Sequence, residues 1–219
     1  MLNTQEDFYK FYGKIIKKDL KRVNNSKSDM RVVDKEEFRV EGDEFLSLIR
    51  DGAVFIHPTD TIYGIGCNAL DKTAVNKIRE LKKRPNMPFS VIAPSKDWIL
   101  ENCEADEKAE KYINELPGPV TLILKLKNKD SIADNVAPGL DTIGVRMPRH
   151  WFTQVAKVTK LPIVTTSANI VGENFMTTLA NLDNSIRKGV DFIIYEDEKK
   201  GRPSKIINLI QEEVDIKER

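Results

Sequence analysis

Apolar positions along the 219-residue chain fall into two alternating rhythms. Short apolar runs read as strands: Ala53–Ile56, Ser90–Ala93, Val120–Leu126, Thr142–Val145, Ile163–Thr166, Phe192–Tyr195 and Lys205–Ile210. Between them, apolar residues recur at helical spacing. Phe45, Leu46 and Ile49 define a helix over Asp43–Arg50 that stops at Asp51-Gly52, and Ala74, Val75, Ile78 and Leu81 define one capped by Asp71 and stopped by Pro85. Ser95 caps a short helix with Trp98 and Ile99, and a further helix covers Asp106–Leu116 before Pro117-Gly118-Pro119. Helices are also expected over His150–Thr159 and from a Thr178 cap to Lys188, with Gly189 just past its end. Strands alternating with helices predict an α/β domain on a mixed sheet.

The first 30 residues differ. Phe8, Tyr12, Ile15 and Ile16 lie at helical spacing among Lys10, Lys14, Lys17, Lys18, Lys21 and Arg22, and a polar linker follows. Residues 1–31 therefore read as a basic amphipathic helix and linker, and residues 32–219 as the main domain. A helix packed on the domain with a solvated charged face is the simplest reading; an RNA or partner contact is the other.

Composition narrows the function classes. Lys and Arg number 35 against 34 Asp and Glu, so a protein living on bulk attraction to a phosphate backbone is disfavoured, and anions must be recognised by local clusters. The longest apolar runs are far shorter than the ~18 residues of a membrane span, and the N-terminus lacks the apolar core of a secretory signal. Two cysteines, Cys67 and Cys103, are too few for a disulfide framework or a zinc site, so a cytoplasmic location is expected. No glycine-rich phosphate loop is present, and two histidines, His57 and His150, make a poor inventory for nucleophilic or metal chemistry. Structural roles are expected for both histidines, and burial for both cysteines.

Three polar segments look like a site, two of them following apolar strands, where α/β sheets collect ligands, and one at a helix end. One is His57–Gly66, with Thr59, Asp60 and Thr61 among glycines. A second is the cation-rich Lys77–Pro85, holding Lys82 and Arg84. The third pairs Thr142–Pro148, with Arg146 at a strand end, with Thr165, Thr166, Ser167 and Asn169. Hydroxyls, an amide and arginine forks suit a pocket for anionic reactants that are positioned and neutralised, with no side-chain nucleophile.

Pro58–Gly66, Lys82-x-Arg84-Pro85, Leu116–Thr121, Gly144–Pro148 and Ser167-Ala168-Asn169, in this order, resemble the YrdC-like family of threonylcarbamoyl-AMP synthases. The resemblance spans about residues 40–210 and implies a single YrdC-like domain: a twisted mixed sheet flanked by helices, with a concave basic cleft. It implies that L-threonine, bicarbonate and ATP, with Mg2+, give threonylcarbamoyl-AMP and pyrophosphate. The product would pass to a transferase complex that modifies tRNA. By the same resemblance Thr59, Arg146 and Thr165 hold threonine. Lys82, Arg84, Asn86, Thr142, Ser167, Asn169 and Ser204 serve ATP, and Lys82, Arg84, Ser167 and Asn169 carry the catalytic load. Asp60 stands where Glu is common, Val171 where Ser is frequent, and Lys205 where Thr is usual; Glu173-Asn174-Phe175 is unusual. The chain is expected to lack the extra C-terminal domain of longer relatives and the zinc-finger and acylphosphatase parts of the hydrogenase-maturation proteins. A double-stranded RNA or tRNA binder on the same fold is the alternative, expected to show an extended basic stripe, and a domain using carbamoyl phosphate is a third.

Overall fold

The computed structural model describes residues 30–211 and 213–218. The expected basic helix over residues 1–29 lies outside them. In chain order the elements are β1 (Arg31–Val33), α1 (Lys35–Val40), α2 (Gly42–Arg50), β2 (Phe55–His57), β3 (Gly64–Gly66), α3 (Lys72–Leu81) and β4 (Ser90–Ile92). Next come α4 (Lys96–Asn102), α5 (Glu107–Glu115), β5 (Val120–Lys125), β6 (Thr142–Arg146), α6 (Thr153–Thr159) and β7 (Ile163–Ser167). The chain ends through α7 (Asn184–Gly189), β8 (Phe192–Ile194), β9 (Lys205–Asn208) and β10 (Asp215–Lys217). One mixed sheet holds the strands in the order β1-β8-β2-β3-β7-β4-β6-β5-β9-β10. It starts at Arg31, which pairs with Phe192, so the last residue of the expected linker already belongs to the sheet.

The helix starts follow from their caps. Asp71, Ser95 and Asp106 each accept a backbone N–H of the first turn of the helix that follows. Two expected helices end up shorter. Thr178 caps only a 3-10 turn over Leu179–Asn181, and α7 has its own cap, Asp183, which accepts from Ser185 and Ile186. Leu182 and Asp183 break the run because Asp satisfies fresh donors better than it continues a helix. Gly189 is the last residue of α7 rather than the residue beyond it. The helix expected from His150 begins at Thr153, after turns in which the His150 and Trp151 carbonyls accept from Thr153 and Gln154.

Successive strand residues face opposite sides of a sheet. Ile56, Ile65, Val91, Val145, Val164, Leu122 and Leu124 share one side in a core with Ala74, Val75 and Ile78 of α3, Ile99 of α4, Ala109 and Ile113 of α5 and Ile186 of α7. The opposite side is only partly covered. There Val33, Phe55, Ile92, Ile163, Phe192 and Ile194 pack on Phe38 of α1, Phe45, Leu46 and Ile49 of α2, and Val155 and Ala156 of α6. Farther along the same faces the side chains turn short and polar. Ile163 gives way to Thr165 and Ile92 to Ser90, and Ser90 is paired across the ladders with both Thr165 and Gly144. Three short side chains in one row leave a trough in the sheet.

The β8–β9 connection crosses that trough. β8 and β9 are separated by six strands, a span of about 34 Å at ~4.8 Å per strand step. The connection bends at Asp197, whose φ is 54°, and passes from Tyr63 and Thr61 to Thr121 as a strap over the open face.

Candidate functional site

The trough opens into a cleft of about 700 Å³, open mouth included, lined by residues from six strand ends, their loops and the strap. Thr59, Arg84, Arg146, Thr165, Ser167 and Ser204 all line it. They come from the ends of four strands, β2, β6, β7 and β9, and from the loop after α3, so the cleft is a product of topology rather than of local sequence.

The β2–β3 loop is stiffened by its own hydroxyls. Thr59 Oγ1 donates to the Ile62 carbonyl at 2.7 Å and accepts from the Thr61 amide at 3.1 Å. Asp60 turns away from the cleft onto Arg146: Nη2 of Arg146 lies 3.0 Å from Asp60 Oδ1, with side chains 8% and 10% exposed. The second carboxylate oxygen accepts the Arg149 amide at 2.7 Å. Arg146 Nη2 also meets Thr61 Oγ1 at 3.3 Å. Asp60 thus neutralises the guanidinium from behind and fixes its plane, while Arg146 still borders the cleft.

The basic cluster around Arg84 does not converge as its sequence density suggests. Lys77 pairs with Asp191 on the outside. Arg79 turns inward, donating to the carbonyls of Asn135, Val136, Arg84, Pro85 and Met87, and lies over the Phe89 ring. It organises the loop that presents Arg84. Arg84 reaches the cleft, donating to the Pro88 carbonyl at 2.8 Å and to Thr166 Oγ1 at 3.4 Å, with Phe89 beneath it.

Lys82 is enclosed rather than presented, with 1% exposure. Its ammonium donates to the carbonyls of Ser167 at 2.5 Å and Asn169 at 2.6 Å, and to Asn169 Oδ1 at 3.3 Å. The same Oδ1 accepts from Ser167 Oγ at 2.5 Å. Lys82 and Arg84 are two residues apart at a helix end, so they cannot face one way. Lys82 supports the 167–169 loop from beneath. Burial, with the charge of Arg84, lowers its pKa to about 7.

Other expected residues lie elsewhere. Asn169 stands in that network beside the lining residues; its amide donates to the carbonyls of Ile170 and Glu173. Asn86 is exposed on the loop before Pro88. Thr142 begins β6, at the end opposite Arg146, and faces Lys125 across the ladder. Thr121, on the neighbouring strand β5, holds a position without an expected role: it lines the cleft and shares a 2.8 Å hydroxyl contact with Ser204. Tyr63, Phe89, Ser90, Thr166, Phe175 and Pro203 complete much of the wall. Thr121 and Tyr63 lay inside the motifs quoted above, yet only the register shows which face they occupy.

The histidines are structural. His57 is fully buried, stacked on Phe152 with ring centroids 4.5 Å apart and pressed over Gly64 and Gly66, where any Cβ would meet its ring or the Val164 carbonyl. Burial lowers its pKa to about 3. His150 contacts Glu196 outside the cleft. Both cysteines are buried and unpaired with each other, with thiol pKa values raised by burial. Among the described residues no three His, Cys, Asp or Glu side chains group as metal ligands, and no helix is long and apolar enough to cross a membrane.

A mixed ten-stranded sheet thus carries an arginine-lined polar cleft over its strand ends. The chain belongs to the Sua5/YciO/YrdC family, described as "Telomere recombination", whose profile matches residues 47–219. It is 38% identical over 183 residues to a Methanocaldococcus jannaschii protein provisionally named threonylcarbamoyl-AMP synthase, covering 82% of this chain and 86% of that one. It is 31% identical over 177 residues to the threonylcarbamoyl-AMP synthase of Idiomarina loihiensis, covering 77% and 92%. The Pyrococcus abyssi synthase is 34% identical over 168 residues, and there the chain spans about half of the relative, 49%. A crystal structure of P. abyssi Sua5 complexed with L-threonine superposes with a TM-score of 0.76 at 30% identity, over 86% of this chain and 56% of that one. Escherichia coli YciO shares the fold, with a TM-score of 0.74 at 22% identity.

Proposed function

We propose that the protein is a threonylcarbamoyl-AMP synthase. The observation that carries this reading is the convergence of Thr59, Thr165 and the Asp60-backed Arg146 on one cleft with Arg84 and Ser167. In this reading Arg146 takes the threonine carboxylate as a planar fork, with Thr59 and Thr165 beside the amino acid. Arg84 and the Ser167 hydroxyl take the ATP phosphates, and the apolar faces of Pro88, Phe89, Phe175 and Pro203 suit the base. The names of relatives at 31–38% identity and the threonine complex of P. abyssi Sua5 support the assignment.

The threonine nitrogen and bicarbonate give a carbamate and water. A carbamate oxygen then attacks the α-phosphorus of ATP, forming the P–O bond of threonylcarbamoyl-AMP as pyrophosphate leaves. All reactants carry anionic groups, so the barrier falls through positioning and charge neutralisation, without a protein nucleophile. This agrees with buried thiols and a buried neutral His57. Mg2+ enters with ATP as part of the substrate, and the cleft meets it with hydroxyls rather than a carboxylate cluster. The product is passed to a transferase that acts on tRNA.

The RNA-binding alternative draws little from the surface. Lys77, Lys199 and Lys205 pair with Asp191, Glu196 and Glu218, and Arg79 and Lys82 are buried. The test is to incubate the purified protein with ATP, Mg2+, L-threonine and bicarbonate and to read threonylcarbamoyl-AMP and pyrophosphate by mass spectrometry. Threonine-dependent product supports the reading; its absence from folded protein refutes it.

A further inference from the structure

The strap over the cleft is tied down at its start by one carboxylate. Glu196 Oε2 lies 2.9 Å from His150 Nε2 and accepts from Lys199 Nζ at 3.1 Å, while Oε1 accepts the Trp151 indole N–H. The Glu196 amide donates to the Tyr63 hydroxyl at 2.8 Å, and that hydroxyl donates to the Asp197 carbonyl at 2.7 Å. Tyr63 itself is a wall of the cleft. Burial pushes the Glu196 carboxyl up, but the hydrogen bonds from Trp151 and Lys199 and the charges of His150 and Lys199 outweigh it, and its pKa is lowered.

This is more than a surface ion pair, which typically contributes ~0–1 kcal/mol. The Glu196, His150 and Lys199 side chains are only 20%, 13% and 18% exposed. Trp151 stands against Phe38 and Phe152 of the second core, so the post to which Glu196 is tied is rigid. Beyond it the strap stays close. The Lys199 amide donates to the Thr177 carbonyl at 3.0 Å, and Gly201 passes so near the Thr61 carbonyl that a Cβ would lie 2.2 Å from its oxygen. The strap then delivers Pro203 and Ser204 into the cleft, with Ser204 seated on Thr121.

We propose that Glu196 is a positioning residue for the nucleotide: by tying the strap to the His150–Trp151 turn it fixes Pro203 and Ser204 as a wall of the cleft. The inference rests on reading the cleft as the ATP site. Glu196 touches no substrate. It acts through a strap that has no strand partner between β8 and β9.

The test uses the full chain and three variants: Glu196→Ala, Glu196→Gln and Gly201→Ala, the last displacing the strap without touching the carboxylate. Steady-state kinetics, calorimetric ATP binding and hydrogen exchange are measured on each. Glu196→Ala and Gly201→Ala should raise the ATP Kd and KM about fivefold or more while leaving the L-threonine KM within about twofold. Glu196→Gln, which retains an acceptor for Trp151, should fall between. Exchange over residues 196–204 should quicken about tenfold with the β4–β7 peptides unchanged. Unchanged ATP binding in both Glu196→Ala and Gly201→Ala overturns the proposal, as does faster exchange spread over the whole sheet. If the wild type forms no threonine-dependent product, the synthase reading fails, but ATP binding still decides the strap. ATP slowing exchange at 196–204 in the wild type and not in Glu196→Ala upholds it; no such difference overturns it.

Discussion

Arg146 and Asp60 form a buried ion pair, 3.0 Å from Nη2 to Oδ1, in which the carboxylate is itself held by the Arg149 amide at 2.7 Å. The pair sets the orientation and the net charge of the guanidinium that borders the cleft. Removing one partner of a buried pair costs about 3–5 kcal/mol, because the other charge is left without compensation.

Asp60→Ala should therefore destabilise the fold by about that amount, read as a lowered urea midpoint. Asp60→Asn keeps an acceptor at the same place and loses the charge. It should cost less stability but raise the L-threonine KM by about tenfold, since the guanidinium loses its fixed plane. Asp60→Glu should stay near wild type in charge and differ only in reach. An L-threonine KM unchanged in Asp60→Asn would show that the pair is structural only.

Lys82 gives a second, different expectation. With three acceptors on its ammonium and 1% exposure, Lys82→Met strands the Asn169 carbonyl and takes one donor each from the Ser167 carbonyl and Asn169 Oδ1, which keep the Asn169 amide and Ser167 Oγ. Each stranded buried group costs about 1–3 kcal/mol. Turnover should fall by orders of magnitude, and the loss should appear together with a lower melting temperature. Lys82→Arg, which keeps the charge but cannot fit three donors into the same cavity, should rescue little. A Lys82→Met protein with wild-type stability and reduced activity would instead place Lys82 on the substrate.

These two residues mark where the sequence could and could not be read. Strand and helix types were legible because apolar periodicity and Asp or Ser caps are local signals, as at Asp71, Ser95 and Asp106. The strand Phe55–His57 was displaced by two residues from its expected start because Ala53 and Val54 are apolar in a turn as well as in a strand. β1, β3 and β10 are not legible in the sequence: Gly64-Ile65-Gly66 sets one strand-favouring residue between two glycines, which leave the space the His57 ring fills. The direction of each cation was not legible at all. Lys77, Arg79, Lys82 and Arg84 crowd one stretch, yet of these four Arg84 lines the cleft, while Lys77 ends on Asp191 and Arg79 and Lys82 on backbone carbonyls. The strap was invisible for the same reason, since Trp151, His150 and Tyr63, which hold its start, lie 45 to 134 residues away in sequence.

Gly144 tests the trough directly. A Cβ there would lie 2.5 Å from Ser90 Oγ and 3.2 Å from Thr121 Cγ2. Ser90 and Thr121 both line the cleft, so Gly144→Ala should push them into it. Overpacking of this kind costs about 1–3 kcal/mol, and the space lost is space for substrate. The variant should fold, with a modestly lower melting temperature and a clearly weaker ATP affinity by calorimetry. Ser90→Ala should relieve part of the crowding, so the double variant should bind ATP better than Gly144→Ala alone.

His57 makes the fold acid-sensitive. It is buried and neutral, with its pKa lowered to about 3 from an ordinary 6.5. Between those values the unfolded chain holds the proton and the native chain does not. Unfolding therefore becomes easier as pH falls from about 6.5 towards 3, with a slope of up to ~1.4 kcal/mol per pH unit for this one group. Above 6.5 both states are neutral and the contribution is constant. His57→Gln, which keeps a polar group near the Pro58 carbonyl and does not titrate, should flatten the acid limb. The check is urea unfolding at pH 7, 6, 5 and 4 for both proteins. The stability difference between them should shrink or reverse as pH falls, and parallel curves across that range would assign the acid sensitivity to another group.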